Sequence, residues 1–154
     1  MIYGIKSNGD LLWRRHDGWA DGTKRWTNPV DKRVGWSWKK FKEVFSGGNG
    51  VIYAVTEQTI GANGIQGGQL IWYRHDGWRD GSYRWASKGS KVVHDSWLYP
   101  HTFAGKDGVI YAVTSTGELH WFRHDGWHDG SKDWAAASGT QVGHGWSFKN
   151  VFCC

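Results

Sequence analysis

Three short stretches of the chain place the same reactive side chains at the same spacing. They read His16-Asp17-Gly18-Trp19-Ala20-Asp21-Gly22, His75-Asp76-Gly77-Trp78-Arg79-Asp80-Gly81 and His124-Asp125-Gly126-Trp127-His128-Asp129-Gly130, each followed four residues on by Trp26, Trp85 or Trp134. Imidazole, carboxylate and indole together admit three chemistries: metal coordination, acid–base hydrolysis and recognition of a hydroxyl-rich ligand. A calcium loop needs more closely spaced oxygen ligands and usually a final Glu. Zinc needs a second His or a Cys nearby. Neither pattern is present, so no metal and no cofactor is expected. Glycoside hydrolysis needs one asymmetric carboxyl pair with separated pKa values, and three identical aspartate sets argue against it. There is no Gly-x-Ser-x-Gly elbow, phosphate loop or nucleotide fingerprint. No catalytic residue is expected, and the protein reads as a binder rather than an enzyme.

Recognition fits these residue types better. A sugar offers an apolar face of C–H groups and a rim of hydroxyls, which an aromatic plane and polar side chains can cover. Trp19, Trp78 and Trp127 are the candidate planes. Asp17, Asp21, Asp76, Asp80, Asp125 and Asp129 are candidate acceptors, and His16, His75 and His124 further polar contacts. Trp26, Trp85 and Trp134 complete the candidate set. A structural reading competes at each position. The Asp-Gly steps favour tight turns with positive φ that hold the middle Trp at an exposed tip. The aspartates can cap those turns through their own backbone, and Arg15, Arg74 and Arg123 can pair with them. The histidines can equally be satisfied by neighbouring units, and the closing tryptophans can be core.

The elements that must position these stretches repeat with them. Residues 12–26, 71–85 and 120–134 form one fifteen-residue phrase with nine positions identical in all three copies. A β-rich run precedes each copy (Met1-Ile2-Tyr3, Val51 to Val55, Val109 to Val113), and a Trp and a Phe follow it (Trp38 and Phe45, Trp97 and Phe103, Trp146 and Phe152). The motif Trp moves from position 13 to 72 to 121, intervals of 59 and 49. The longer one is accounted for by extra residues within Glu57 to Gly68, expected as a loop. A period near fifty suits propeller blades. Leu70, Trp72 and Arg74 alternate with Ile71, Tyr73 and His75, the period of a β-strand. Trp13, Trp72 and Trp121, in mid-strand, are expected in the core between blades.

The expected fold class is therefore all-β: a β-propeller of four-stranded antiparallel blades, three blades per chain. The repeats span approximately 1–37, 38–96 and 97–145, with 146–152 as a closing strand. Propeller rings typically hold four to eight blades. Three are too few, so the ring is expected to close by oligomerisation, with six blades in a homodimer.

Composition narrows the class. The 154 residues include 23 Gly, only 2 Pro and 13 Trp, which suits tight turns and a packed fold rather than disorder. The net charge of +5 is scattered, with runs no longer than pairs such as Lys39-Lys40, so no nucleic-acid partner is expected. No stretch approaches the roughly twenty apolar residues of a membrane span. The start lacks the charged and apolar segments of a signal peptide, which points to the cytoplasm or to unconventional secretion. Cys153 and Cys154 are adjacent, a poor geometry for a structural disulfide.

The runs Val51-Ile-Tyr-Ala-Val, Leu70-Ile-Trp-Tyr-Arg-His-Asp-Gly-Trp and Gly143-His-Gly-Trp-Ser-Phe-Lys-Asn-Val-Phe resemble the blade repeat of the tachylectin family. The resemblance implies a propeller lectin for N-acetylated amino sugars such as N-acetylglucosamine and N-acetylgalactosamine. It implies sites between adjacent blades, near the loop after the Trp-x-Arg strand. Known members close five blades in one chain, whereas this chain offers three. The function expected is a multivalent lectin with glycans as partners. The alternative is a propeller scaffold for protein–protein interaction.

Overall fold

A computed structural model describes residues 1–61, 64–86 and 89–153. Its strands are β1 (Ile2–Ile5), β2 (Leu11–Arg14), β3 (Lys32–Gly35), β4 (Phe41–Gly48), β5 (Val51–Thr56), β6 (Gln58–Gly61), β7 (Gly64–Gly67), β8 (Leu70–Arg74), β9 (Lys91–His94), β10 (His101–Ala104), β11 (Val109–Val113), β12 (Leu119–Arg123) and β13 (Thr140–Gly143). They build three antiparallel sheets, ordered β1-β2-β3, β4-β5-β8-β9 and β10-β11-β12-β13, and a separate β6-β7 hairpin. The described residues are all-β apart from a 3-10 turn at Trp38–Lys40. No helix among the described residues is long and apolar enough to cross a membrane.

The sequence repeat is a repeat of register. Tyr3 faces Trp13, Tyr53 faces Trp72 and Tyr111 faces Trp121 across the central pair of each sheet. The last pair of each sheet slips at the same place, between Leu11 and Leu12, Leu70 and Ile71, and Leu119 and His120. Such bulges sharpen strand twist.

The core lies between sheets, and β5 shows why. Strand side chains alternate faces. Ile52 and Ala54 join Leu11, Trp13, Val34 and Trp38 in one buried cluster, while Val51, Tyr53 and Val55 join Trp72, Trp97 and Ile110 in the other. A strand buried on both faces must be continuously apolar, which is what Val-Ile-Tyr-Ala-Val supplies. Each large side chain so buried contributes about 1.5–3 kcal/mol. The first strands of the second and third sheets are neighbours: Glu43 Oε1 on β4 accepts the Thr102 N–H of β10 at 3.1 Å.

One expectation needs correction. Glu57 to Gly68 is not a plain loop, because β6 and β7 pair there from Gln58↔Gly67 to Gly61↔Gly64. β-branched Thr59, Ile60 and Ile65 favour extended backbone, and Gly64 takes a φ of +97°. Residues 146–152, expected to close the ring beside a second copy, form no strand within a single chain. A lone strand cannot satisfy its own backbone groups and forms only beside an edge. The first sheet accordingly has three strands where the others have four.

Candidate functional site

Each repeated loop is a closed excursion. Its neck is an isolated antiparallel bridge: His16 to Trp26, His75 to Trp85 and His124 to Trp134. The two rings at each neck stack or tilt together with centroids 4.6 to 4.7 Å apart. The two glycines have separate reasons. A Cβ on Gly18 or Gly77 would lie 2.0 Å from the carbonyl oxygen of Thr23 or Ser82, where the returning chain crosses. Gly22, Gly81 and Gly130 sit at φ of +72°, +69° and +72°, a region that L side chains rarely enter.

The histidines are positioning groups. Nε2 of His16, His75 and His124 lies 2.7 to 2.8 Å from the carbonyl of Thr23, Ser82 and Ser131. A carbonyl only accepts, so Nε2 carries the proton and Nδ1 is an acceptor. Tyr3 Oη donates to His75 Nδ1 at 2.6 Å, and Tyr53 Oη donates to His124 Nδ1 at 2.8 Å. His75 and His124 are completely buried, and burial pushes both below the usual imidazole pKa. They therefore join loops to the preceding sheet and do not face solvent. His16 is only partly buried.

The aspartates divide into two groups. Asp17, Asp76 and Asp125 accept from the Nε of Arg15, Arg74 and Arg123 at 2.7, 2.8 and 2.7 Å. Asp21, Asp80 and Asp129 accept the backbone N–H of Thr23, Ser82 and Ser131 at 3.0, 2.9 and 2.8 Å, capping their turns. Hydrogen bonds hold several of them below the ordinary carboxylate range: from Arg15 and Thr27 for Asp17, from Thr23 for Asp21, from Ser82 for Asp80 and from Ser131 for Asp129. Among the described residues no cluster of three or more His, Cys, Asp or Glu forms a metal site.

The tryptophans separate most clearly. The indoles of Trp13 and Trp72 donate to the backbone carbonyls of Trp78 and Trp127, on the next sheet's loop, at 2.7 and 2.6 Å. Trp85 and Trp134 donate in the reverse sense, to the carbonyls of Val34 and Val93 on the preceding sheet, at 2.8 and 3.1 Å. Trp78 and Trp127 are half-buried, leaning on Gly50 and Gly108 of their own sheets. Trp19 alone of the three middle tryptophans stands at an exposed tip, 81% accessible. A groove of about 560 Å³ brings it together with His16, Asp17 and Arg15. The tip position expected from turn chemistry thus holds for the first loop only. The other two indoles rest on their own sheets, while their carbonyls are held by the preceding one.

One pair escaped the repeat analysis because it does not repeat. Trp36, after β3, stacks on Tyr83 of the second loop at 5.6 Å and 7°, and both rings are mostly exposed. The corresponding positions at the next junction are Asp95 and Lys132, an ion pair at 2.8 Å. The signal was available as a departure from the repeat.

The geometry is three loops of one design, two of them held by the preceding sheet and the first beside an open groove that gathers Trp19, His16 and Asp17. A family model described as Tachylectin matches residues 1–154. No curated protein and no solved structure matches the chain.

Proposed function

The chain belongs to the Tachylectin family, which suggests a carbohydrate-binding role, and we propose that it is a multivalent lectin for N-acetylated amino sugars, N-acetylglucosamine and N-acetylgalactosamine. The whole-length family match carries this reading. Surface aromatics support it: exposed indole and phenol planes at Trp19, Trp36 and Tyr83 suit the C–H face of a pyranose. The Asp17, Asp76 and Asp125 carboxylates, each fixed by an arginine, are acceptors for hydroxyl or amide N–H groups.

Binding proceeds without turnover. A glycosidase acid needs a pKa raised toward neutrality, and Asp17, Asp21, Asp80 and Asp129 are displaced the other way. Single sites of this shallow kind are weak, and avidity comes from presenting several on one body, worth about 10²–10⁴-fold where a glycan surface reaches them together. The body is a six-bladed propeller made of two copies, since three sheets per chain reach the usual four to eight blades only as a pair.

A glycan array with competition by free N-acetylglucosamine tests the reading. The expected result is saturable binding to N-acetylated glycans, abolished by the free sugar, with no sugar released. Binding indifferent to N-acetyl sugars, or release of free sugar, overturns it.

A further inference from the structure

Two internal junctions, first sheet to second and second to third, are made by one contact set. Tyrosine to histidine: Tyr3 to His75 and Tyr53 to His124. Indole to loop carbonyl: Trp13 to Trp78 and Trp72 to Trp127. Guanidinium to the next loop carbonyl: Arg15 to Arg79, at 3.0 Å, and Arg74 to His128. Indole back to strand carbonyl: Trp85 to Val34 and Trp134 to Val93. Gly81 and Gly130 lie flat on the rings of Trp13 and Trp72, where a Cβ would come within 2.4 and 2.5 Å.

Each half of this set occurs once more, unmatched. On the outer face of the third sheet stand Tyr111, Trp121, Arg123 and Val142. Tyr111 Oη, Trp121 Nε1 and the terminal nitrogens of Arg123 make no hydrogen bond in the described structure, and Val142 is exposed. On the first loop stand His16, the Trp19 and Ala20 carbonyls, and Trp26. His16 Nε2 is fixed as a donor by Thr23, leaving Nδ1 an acceptor without a donor. Gly22 has nothing within 4 Å of its would-be Cβ, unlike its two counterparts.

The C-terminal segment shows the same arrest. Phe45 stacks on Tyr53 at 5.3 Å and Phe103 on Tyr111 at 5.5 Å, both within one sheet. The corresponding Tyr3 has no such phenylalanine. Beside it is a cleft of about 390 Å³, lined by Tyr3, Ile5, Leu11 and Val44 among others. Phe152, at the matching repeat position, is 83% exposed.

We propose that the outer face of the third sheet binds the His16–Trp26 loop of a second copy of this chain, and that residues 150–153 of each copy add as the fourth strand beside β1 of the other. Tyr111 then donates to the other copy's His16, Trp121 to its Trp19 carbonyl and Arg123 to its Ala20 carbonyl, while its Trp26 donates to Val142. Phe152 enters the cleft beside Tyr3. The contact is head-to-tail and closes after two copies, and it covers the open β1 edge of each copy. It rests on the six-bladed ring above and gives that ring its contacts. It also places the groove at His16, Asp17 and Trp19 at a junction built like the two internal ones.

Sedimentation equilibrium of the 154-residue chain, with and without Gly22→Ala and Phe152→Asp, is the test. The wild type is expected at twice the 17.5 kDa of one chain. Each variant is expected to weaken assembly by about a hundredfold or more. Phe152 faces open space within one chain and Gly22→Ala adds there only the strain of its +72° φ, so far-UV circular dichroism of the separated variants should remain that of a folded β protein, with thermal unfolding lowered for Gly22→Ala alone. A wild type sedimenting as a single chain or as three copies overturns the proposal, as do variants that stay fully assembled. Sugar binding is read separately: assembly without sugar binding removes the lectin and leaves the interface, and sugar binding by a single wild-type chain does the reverse.

Discussion

Tyr53 donates its hydroxyl to Nδ1 of His124 at 2.8 Å across two sheets, and the imidazole's other nitrogen is held by the Ser131 carbonyl at 2.7 Å. A tyrosine 71 residues away and a carbonyl of the same loop thereby fix one tautomer in a buried position. The bond ties a strand to the loop of the next sheet, so it transmits sheet placement directly to the candidate site.

Tyr53→Phe removes the donor and leaves a buried imidazole nitrogen unsatisfied. The expected loss is about 1–3 kcal/mol, read as a fall in Tm of about 2–4 °C for each kcal/mol. Unchanged thermal unfolding would show that this hydrogen bond adds nothing to the junction.

Acid should loosen the junctions before it unfolds the strands. Burial lowers the pKa of His75, His94 and His124 in the folded chain below the ordinary 6.5. Below 6.5 the unfolded chain therefore binds protons that the folded chain refuses. Their stabilising effect is complete above pH 6.5 and is lost as pH falls through the folded values. Denaturant midpoints measured from pH 8 to pH 5 should fall on the acid side, with a plateau above neutrality.

Gly81→Ala and Gly48→Ala separate backbone strain from collision. Both positions have positive φ, +69° and +82°, and each substitution costs about 1–2 kcal/mol for that conformation. Only at Gly81 does the new methyl meet a ring, 2.4 Å from Trp13. Overpacking adds about 1–3 kcal/mol there. Equal destabilisation of the two variants in urea would contradict the close packing of loop on Trp13.

Glu43→Gln is expected to stabilise the protein. Burial raises the Glu43 pKa above its usual 4.5, and Oε2 is buried without a partner. A raised carboxyl pKa lowers stability as pH rises through the titration. The amide oxygen can keep the Thr102 N–H while removing the charge. The gain in Tm should appear at pH 7 and vanish near pH 4.

Trp36→Ala should weaken binding of N-acetylglucosamine at one cleft by about 2- to 10-fold, the worth of one aromatic contact. Calorimetric titration would read it as one weakened class of site beside unaffected ones. A uniform loss across all sites would instead mean that the Trp36–Tyr83 stack holds the fold.

The sequence alone determined what repeats. Nine identities per copy, the alternating β8 residues and the apolar Val51 to Val55 run require antiparallel sheets with bulky contents between them, because strand periodicity and two-sided burial are local properties of the chain. The Arg–Asp pairs and the Asp caps were legible for the same reason, each lying within a few residues of its partner. What only the tertiary structure decided is which members of identical loops face solvent. Trp19 and Trp78 have the same local sequence, yet one is exposed and the other leans on Gly50 with its carbonyl taken by Trp13. His75 and His16 differ in the same way: Tyr3 reaches Nδ1 of one, and no described residue donates to Nδ1 of the other. Local pattern sets a loop's shape, but exposure depends on which segment from elsewhere in the chain stands beside it: the Gly50 turn for Trp78 and the Tyr3 strand for His75.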